Sequence, residues 1–174
     1  MKRAIVILPK FDGLGLIDQL RRRFDPLASK IDAHITLVFP FESDLSAEQL
    51  RAHIQRVIEG MTPFQVQLRG ITGHEGKYLF LNVELGNDQL IELHDRLYSG
   101  PLAAYLVSEY TYVPHVTVGC LPDRIEFLKA LEMAREVRAT FQTVVSEICT
   151  YRIESDGNLW EEFSVSLCSR EASQ

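Results

Sequence analysis

His34 and Thr36 in the segment "HITL", and His115 and Thr117 in "HVTV", are the residues whose types and spacing could do chemistry together. Alternate side chains of a strand share a face, so each tetrad offers an imidazole and a hydroxyl to one surface. The aliphatic residues between them, Ile35 and Leu37 or Val116 and Val118, point the other way. Imidazole takes up and releases protons near neutral pH, and a hydroxyl donates to anionic oxygen. Two of each in one cleft would suit cleavage of a phosphodiester. A neutral ring removes the proton of the attacking water or hydroxyl, a protonated ring delivers one to the departing oxygen, and the hydroxyls bind non-bridging oxygens. This design predicts a bell-shaped pH dependence and needs neither a metal nor another cofactor.

A single His-x-Thr inside a strand is unremarkable. Two among five histidines, each with a β-branched x and an aliphatic fourth position, form a repeat with a shared purpose. His53 and His94 fall on helical segments at the border of apolar faces and read as surface or boundary residues. His74 sits in a turn near Lys77, where it could reach the rim of a cleft. Tyr112 precedes the second tetrad and could stack on a nucleobase or pack at the start of the strand. A metal site built on His34 and His115 would lack ligands, since no suitably spaced carboxylate is evident and threonine is a poor zinc ligand. A non-catalytic nucleotide or RNA-end binding protein that keeps the cleft is the competing reading of another class.

Periodicity outlines the elements that must position the tetrads. Arg3 to Leu8 reads as a strand, and Gly13 to Arg23 as a helix stopped by Phe24-Asp25-Pro26. The His34 strand runs from Ala33 to Phe39. Ser46 and Gln49 form a capping box opening a helix whose buried face is Leu50, Ile54, Val57, Ile58 and Met61. Phe64 to Ile71 and Tyr78 to Leu85 make a hairpin around "GHEG". A helix spans Asn87 to Ser99 before Gly100-Pro101. After the His115 to Cys120 strand, Asp123 opens a helix buried through Ile125, Leu128 and Leu131. Two strands, within Ala139 to Ile153 and Leu159 to Leu167, turn at "SDGN". Each half thus repeats a histidine strand, a capped helix and two antiparallel strands. Leu79 follows His34 by the 45 residues that separate Trp160 from His115. Pseudo-symmetric lobes would bring the two histidine strands face to face across a cleft.

The 174 residues suit one domain over 1–174, and 46% hydrophobic with 24% charged residues is a globular composition. A net charge of −6 argues against duplex DNA as a partner. Arg21, Arg22 and Arg23 read as the solvated last turn of a helix. Cys120, Cys149 and Cys168 lack metal or disulfide spacing and read as small buried residues in a reducing compartment. The apolar run Ala4 to Leu8 is too short for a signal core or a membrane span, so a cytoplasmic protein with no membrane partner is expected. It is expected to be a monomer, ordered except for Ser169 to Gln174.

"HITL" and "HVTV", spaced across two structural halves, resemble the signature of the 2H phosphoesterase superfamily, a pair of His-x-Thr/Ser-x tetrads. Through "RRRFDPLASKIDAHITLVFPFE" the chain resembles its 2′-5′ RNA ligase-like branch, in particular the YjcG-type phosphoesterases. The resemblance implies a bilobal α+β fold, two antiparallel sheets with pseudo-twofold symmetry around a central cleft, and helices outside. It implies metal-independent hydrolysis of 2′,3′-cyclic phosphates on RNA ends or small nucleotides, with reversible 2′-5′ ligation in some relatives. By position His34 would be the proton donor, His115 the acceptor, and Thr36 and Thr117 the phosphate binders. The second tetrad departs from relatives acting on RNA ends, for "YVPHVTVGC" has no basic residue and only Tyr112 beside it.

Overall fold

β-branched and aromatic runs alternate with amphipathic ones, and the chain forms β1 (Lys2–Ile7), α1 (Leu14–Phe24), β2 (Ile35–Glu42), α2 (Ala47–Val57), β3 (Phe64–His74) and β4 (Tyr78–Leu85). It continues through α3 (Asn87–Leu97), a 3-10 turn (Gly100–Tyr105), β5 (His115–Cys120), α4 (Arg124–Arg135), β6 (Thr140–Val145), β7 (Glu147–Ile153) and β8 (Leu159–Ser166). This computed structural model describes residues 1–167. The expectations for Cys168 and for the tail from Ser169 fall outside the described residues. No described helix is long and apolar enough to cross a membrane.

The strands pair antiparallel in one sheet of order β6-β3-β4-β5-β2-β1-β7-β8. The two expected sheets are halves of this ladder, joined in its middle by a single pair, Ile35 with Val116. Neither half of the sequence builds its lobe alone, contrary to the repeat read from spacing. β4, which carries Leu79, pairs with the His115 strand, while β8, which carries Trp160, pairs through β7 with β1 in the His34 half. The run expected as one strand within Ala139–Ile153 divides at Ser146, β6 pairing with β3 and β7 with β1. The buried positions also shift phase across that break, from Phe141, Thr143 and Val145 to Ile148 and Thr150.

All four helices cover the face that carries Ile5, Ile35, Leu79, Leu81 and Val116, each at most 1% exposed. Full burial of such a side chain contributes about 1.5–3 kcal/mol, so this face locks the register of every strand. The capping box of α2 forms as its sequence requires, with Ser46 and Gln49 bonding reciprocally. Helix α4 differs from expectation. Asp123 caps it, but Ile125 and Leu128 are 65% and 52% exposed, and the buried stripe is Phe127, Ala130, Leu131 and Ala134. Apolar residues surround much of this helix, and the strand beneath chooses between the stripes: Gly73 leaves room for the Phe127 ring, which a Cβ there would meet at 2.6 Å.

β2 runs three residues beyond the expected Phe39, through Pro40, to Glu42. Proline cannot donate in a ladder and belongs at edges or bulges. β2 meets β5 only at Ile35 and its pairing with β1 is irregular, so at Pro40 it behaves as an edge.

Gly119 lies at the end of the second tetrad strand, where an added Cβ would come within 2.9 Å of Leu79 Cδ1 and 3.0 Å of Phe24 Cβ on α1. Gly119→Ala is therefore expected to overpack the α1–β5 contact and lower stability by about 1–3 kcal/mol, measured by urea unfolding.

Candidate active site

Ile35 and Val116 are fully buried, so pairing between them turns the neighbouring side chains to the opposite face. In antiparallel register His34 falls opposite Thr117, and Thr36 opposite His115. All four are half-buried. The tetrads therefore form one square of side chains on adjacent strands. Neither threonine hydroxyl has a hydrogen-bond partner among the described residues.

Both imidazoles are held alike. His34 Nδ1 donates to the Asp32 carbonyl at 2.9 Å, and His115 Nδ1 to the Val113 carbonyl at 2.6 Å. A carbonyl only accepts, so each Nδ1 carries hydrogen and each Nε2 is left to exchange a proton. Burial lowers the pKa of His34; the bond to Asp32 opposes this, the Arg21 guanidinium adds to it and Asp25 offsets it. Burial also brings His115 down from 6.5 to about 4, the Val113 carbonyl opposing and the charges of His74 and His34 assisting. A charge on His34 thus makes protonation of His115 harder, as expected of neighbours in one cleft.

Phe80 escaped the sequence reading. Its ring stacks on His115 with centroids 3.5 Å apart, and exposed His74, expected in a turn near the cleft rim, ends β3 and stacks on Phe80 at 5.0 Å. The signal was present in β4, where Tyr78, Phe80 and Asn82 alternate with core residues Leu79, Leu81 and Val83. Large aromatic groups on the face away from the core mark a working surface.

Where β2 and β5 diverge, side chains replace the missing ladder. The Tyr112 hydroxyl donates to the Thr36 carbonyl at 2.8 Å, His94 Nδ1 donates to the Leu37 carbonyl at 2.7 Å, and the Phe39 N–H donates to the Tyr98 hydroxyl at 3.0 Å. Tyr112 lies flat on His94, centroids 3.7 Å apart, so a base could stack only on its other face. His94 and His53, expected as surface or boundary residues, are each 3% exposed. They are buried because each meets a main-chain carbonyl, that of Leu37 for His94 and that of Leu97 for His53. Arg21 likewise departs from the solvated turn expected of it. It is 2% exposed and pairs with Asp25 at 3.0 Å, while Asp25 accepts from the Leu27 N–H and so shapes the loop leading to His34. Among the described residues no group of three or more His, Cys, Asp or Glu is placed to hold a metal ion.

Antiparallel strands that set two His-x-Thr tetrads side by side under a helical layer define the class of the 2H phosphoesterases. The family model described as the 2′-5′ RNA ligase superfamily matches residues 9–157, and the chain belongs to that superfamily. A protein of Bacillus pumilus (strain SAFR-032) named "Putative phosphoesterase" is 30% identical over 121 residues, 68% of this chain and 69% of that protein. A like-named protein of Geobacillus sp. (strain WCH70) is 28% identical over 170 residues, 95% and 96% of the two chains. Among solved structures, TT0787 of Thermus thermophilus superposes with TM-score 0.63 at 15% identity, over 96% of this chain and 98% of that one. E. coli LigT complexed with 3′-AMP gives 0.55 at 17%, over 97% and 98%. These two likenesses concern the fold.

Two measurements test this geometry. In an NMR titration His115 is expected to take up its proton near pH 4. Because its folded pKa is depressed, its contribution to stability is full above about pH 6.5 and is lost as pH falls to about 4, so the pH slope of unfolding free energy should flatten in His115→Asn. Tyr112→Phe removes the bond to Thr36 and should cost about 1 kcal/mol in urea unfolding.

Proposed function

We propose that this protein is a phosphodiesterase that opens 2′,3′-cyclic phosphates, on RNA ends or small nucleotides, by acid–base catalysis between His34 and His115. The observation that carries the reading is the antiparallel square of two imidazoles and two free hydroxyls around the Ile35–Val116 pair. In hydrolysis, Nε2 of His115 takes a proton from water as the water oxygen bonds to phosphorus. The bond from phosphorus to one ribose oxygen breaks, and that oxygen receives the proton of His34 Nε2. The low pKa of His115 suits the acceptor, which must be neutral at working pH. His34 serves as donor once a phosphate anion beside it favours its charged form. Thr36 and Thr117 donate to the non-bridging oxygens as charge grows on them. With a 5′-hydroxyl in place of the attacking water, the same proton transfers would break the bond from phosphorus to the 3′-oxygen and leave a 2′-5′ diester, the ligase chemistry for which the superfamily is named. That E. coli LigT was crystallised with 3′-AMP supports a nucleotide as ligand.

The test is turnover of nucleoside 2′,3′-cyclic phosphates in EDTA, with products mapped by phosphorus NMR. His34→Ala or His115→Ala is expected to lower kcat by about 10²–10⁴-fold while the protein stays folded, and the wild-type pH profile should be bell-shaped. Activity that survives both substitutions, or binding without product across a diester panel, would sink the proposal, and the second outcome would favour a binding protein.

A further inference from the structure

The proposed reaction leaves unused a recess of about 250 Å³, lined by Lys30, Asp32, Tyr151, Leu159, Trp160 and Glu161 among others. It adjoins the reacting groups through Asp32, whose carbonyl holds His34. Tyr151 pairs with Ala4 on β1, which shares a face with Val6, the partner of Thr36. Tyr151 and its own partner Glu161 therefore stand on the face of the tetrads, β7 lying two strand spacings, about 10 Å, from β2. That separation is the scale of a nucleoside, so one molecule can reach from the tetrads into the recess.

The chemistry of the lining is unlike that of a phosphate site. The carboxylates of Asp32 and Glu161 and the hydroxyl of Tyr151 have no hydrogen-bond partner among the described residues. Tyr151 lies opposite Glu161 across the β7–β8 pair and lines the recess with Asp32, and burial first, then these neighbouring carboxylates, raise its phenol pKa. The one cation of the lining, Lys30, points its ammonium at the Gly157 carbonyl, 3.5 Å away. A second phosphate would be repelled, whereas a group with adjacent N–H donors would satisfy a carboxylate through two parallel bonds. Of the four bases only guanine presents such a pair, N1–H beside its amino group. Adenine and cytosine set a ring lone pair beside the amino group, and uracil flanks a single N–H with carbonyls, so a carboxylate opposes all three. Leu159, on the same face as Glu161, supplies apolar surface for a flat ring.

We infer that this recess is the base subsite and that it selects guanine, an inference that rests on the phosphodiesterase reading for its connection to the tetrads. Trp160 is the only tryptophan of the chain and borders the recess, so its fluorescence reports on binding beside it. In titrations with the four nucleoside 3′-monophosphates, guanosine monophosphate is expected to change the emission saturably and to bind at least tenfold more tightly than the others. Glu161→Gln, at an exposed position, should weaken that binding tenfold or more and erase the preference, with circular dichroism unchanged. Equal affinities for the four, unchanged emission on guanosine monophosphate binding, or an undiminished preference in Glu161→Gln would overturn the inference. The titration requires no turnover and should give the same preference in His115→Ala. Guanine selectivity without catalysis would thus count against the proposed reaction alone, and catalysis without selectivity against the recess alone.

Discussion

A single backbone pair, Ile35 with Val116, joins the two halves of the sheet, and the site depends on it. Both side chains are fully buried under the helices. A slip of one residue in either strand would expose an aliphatic core position and drive an imidazole and a hydroxyl into the apolar layer. The hydrophobic burial on one face thus fixes the arrangement of polar groups on the other. Four side chains, from two tetrads 81 residues apart, become neighbours through that pairing.

Joining two half-sheets at one point leaves main-chain groups without ladder partners where the strands part, and such groups are costly when buried. Tyr112, His94 and Tyr98 meet that demand at Thr36, Leu37 and Phe39. The same divergence lets Pro40 sit inside a strand that is central in the sheet order. It also separates the duties of the histidines. His53 and His94 spend a ring nitrogen on the core, whereas His34 and His115 use Nδ1 as an anchor and keep Nε2 for the cleft. Arg21, the guanidinium whose charge bears on His34, is itself paired with Asp25.

Much of the fold was legible because its signals are local. The bounds of β4 and β5, the capping box of α2 and the Asp123 cap follow from alternation and from single capping residues. Helix α4 was misjudged because its sequence offers two apolar stripes, and the choice belonged to Gly73 on another strand. The burial of His53, His94 and Arg21 was illegible for the same reason, since a polar side chain is buried only where a distant partner satisfies it.

The sequence by itself determined which side chains share a face, and so named His34, Thr36, His115 and Thr117, because a strand's two-residue period is a property of the backbone. Tertiary structure alone decided which strand lies beside which. It exchanged the hairpins between lobes, stacked Phe80 on His115, and brought Asp32 next to Tyr151 and Glu161. Those pairings are chosen by burial summed over the whole sheet, and no stretch of residues carries that sum within itself.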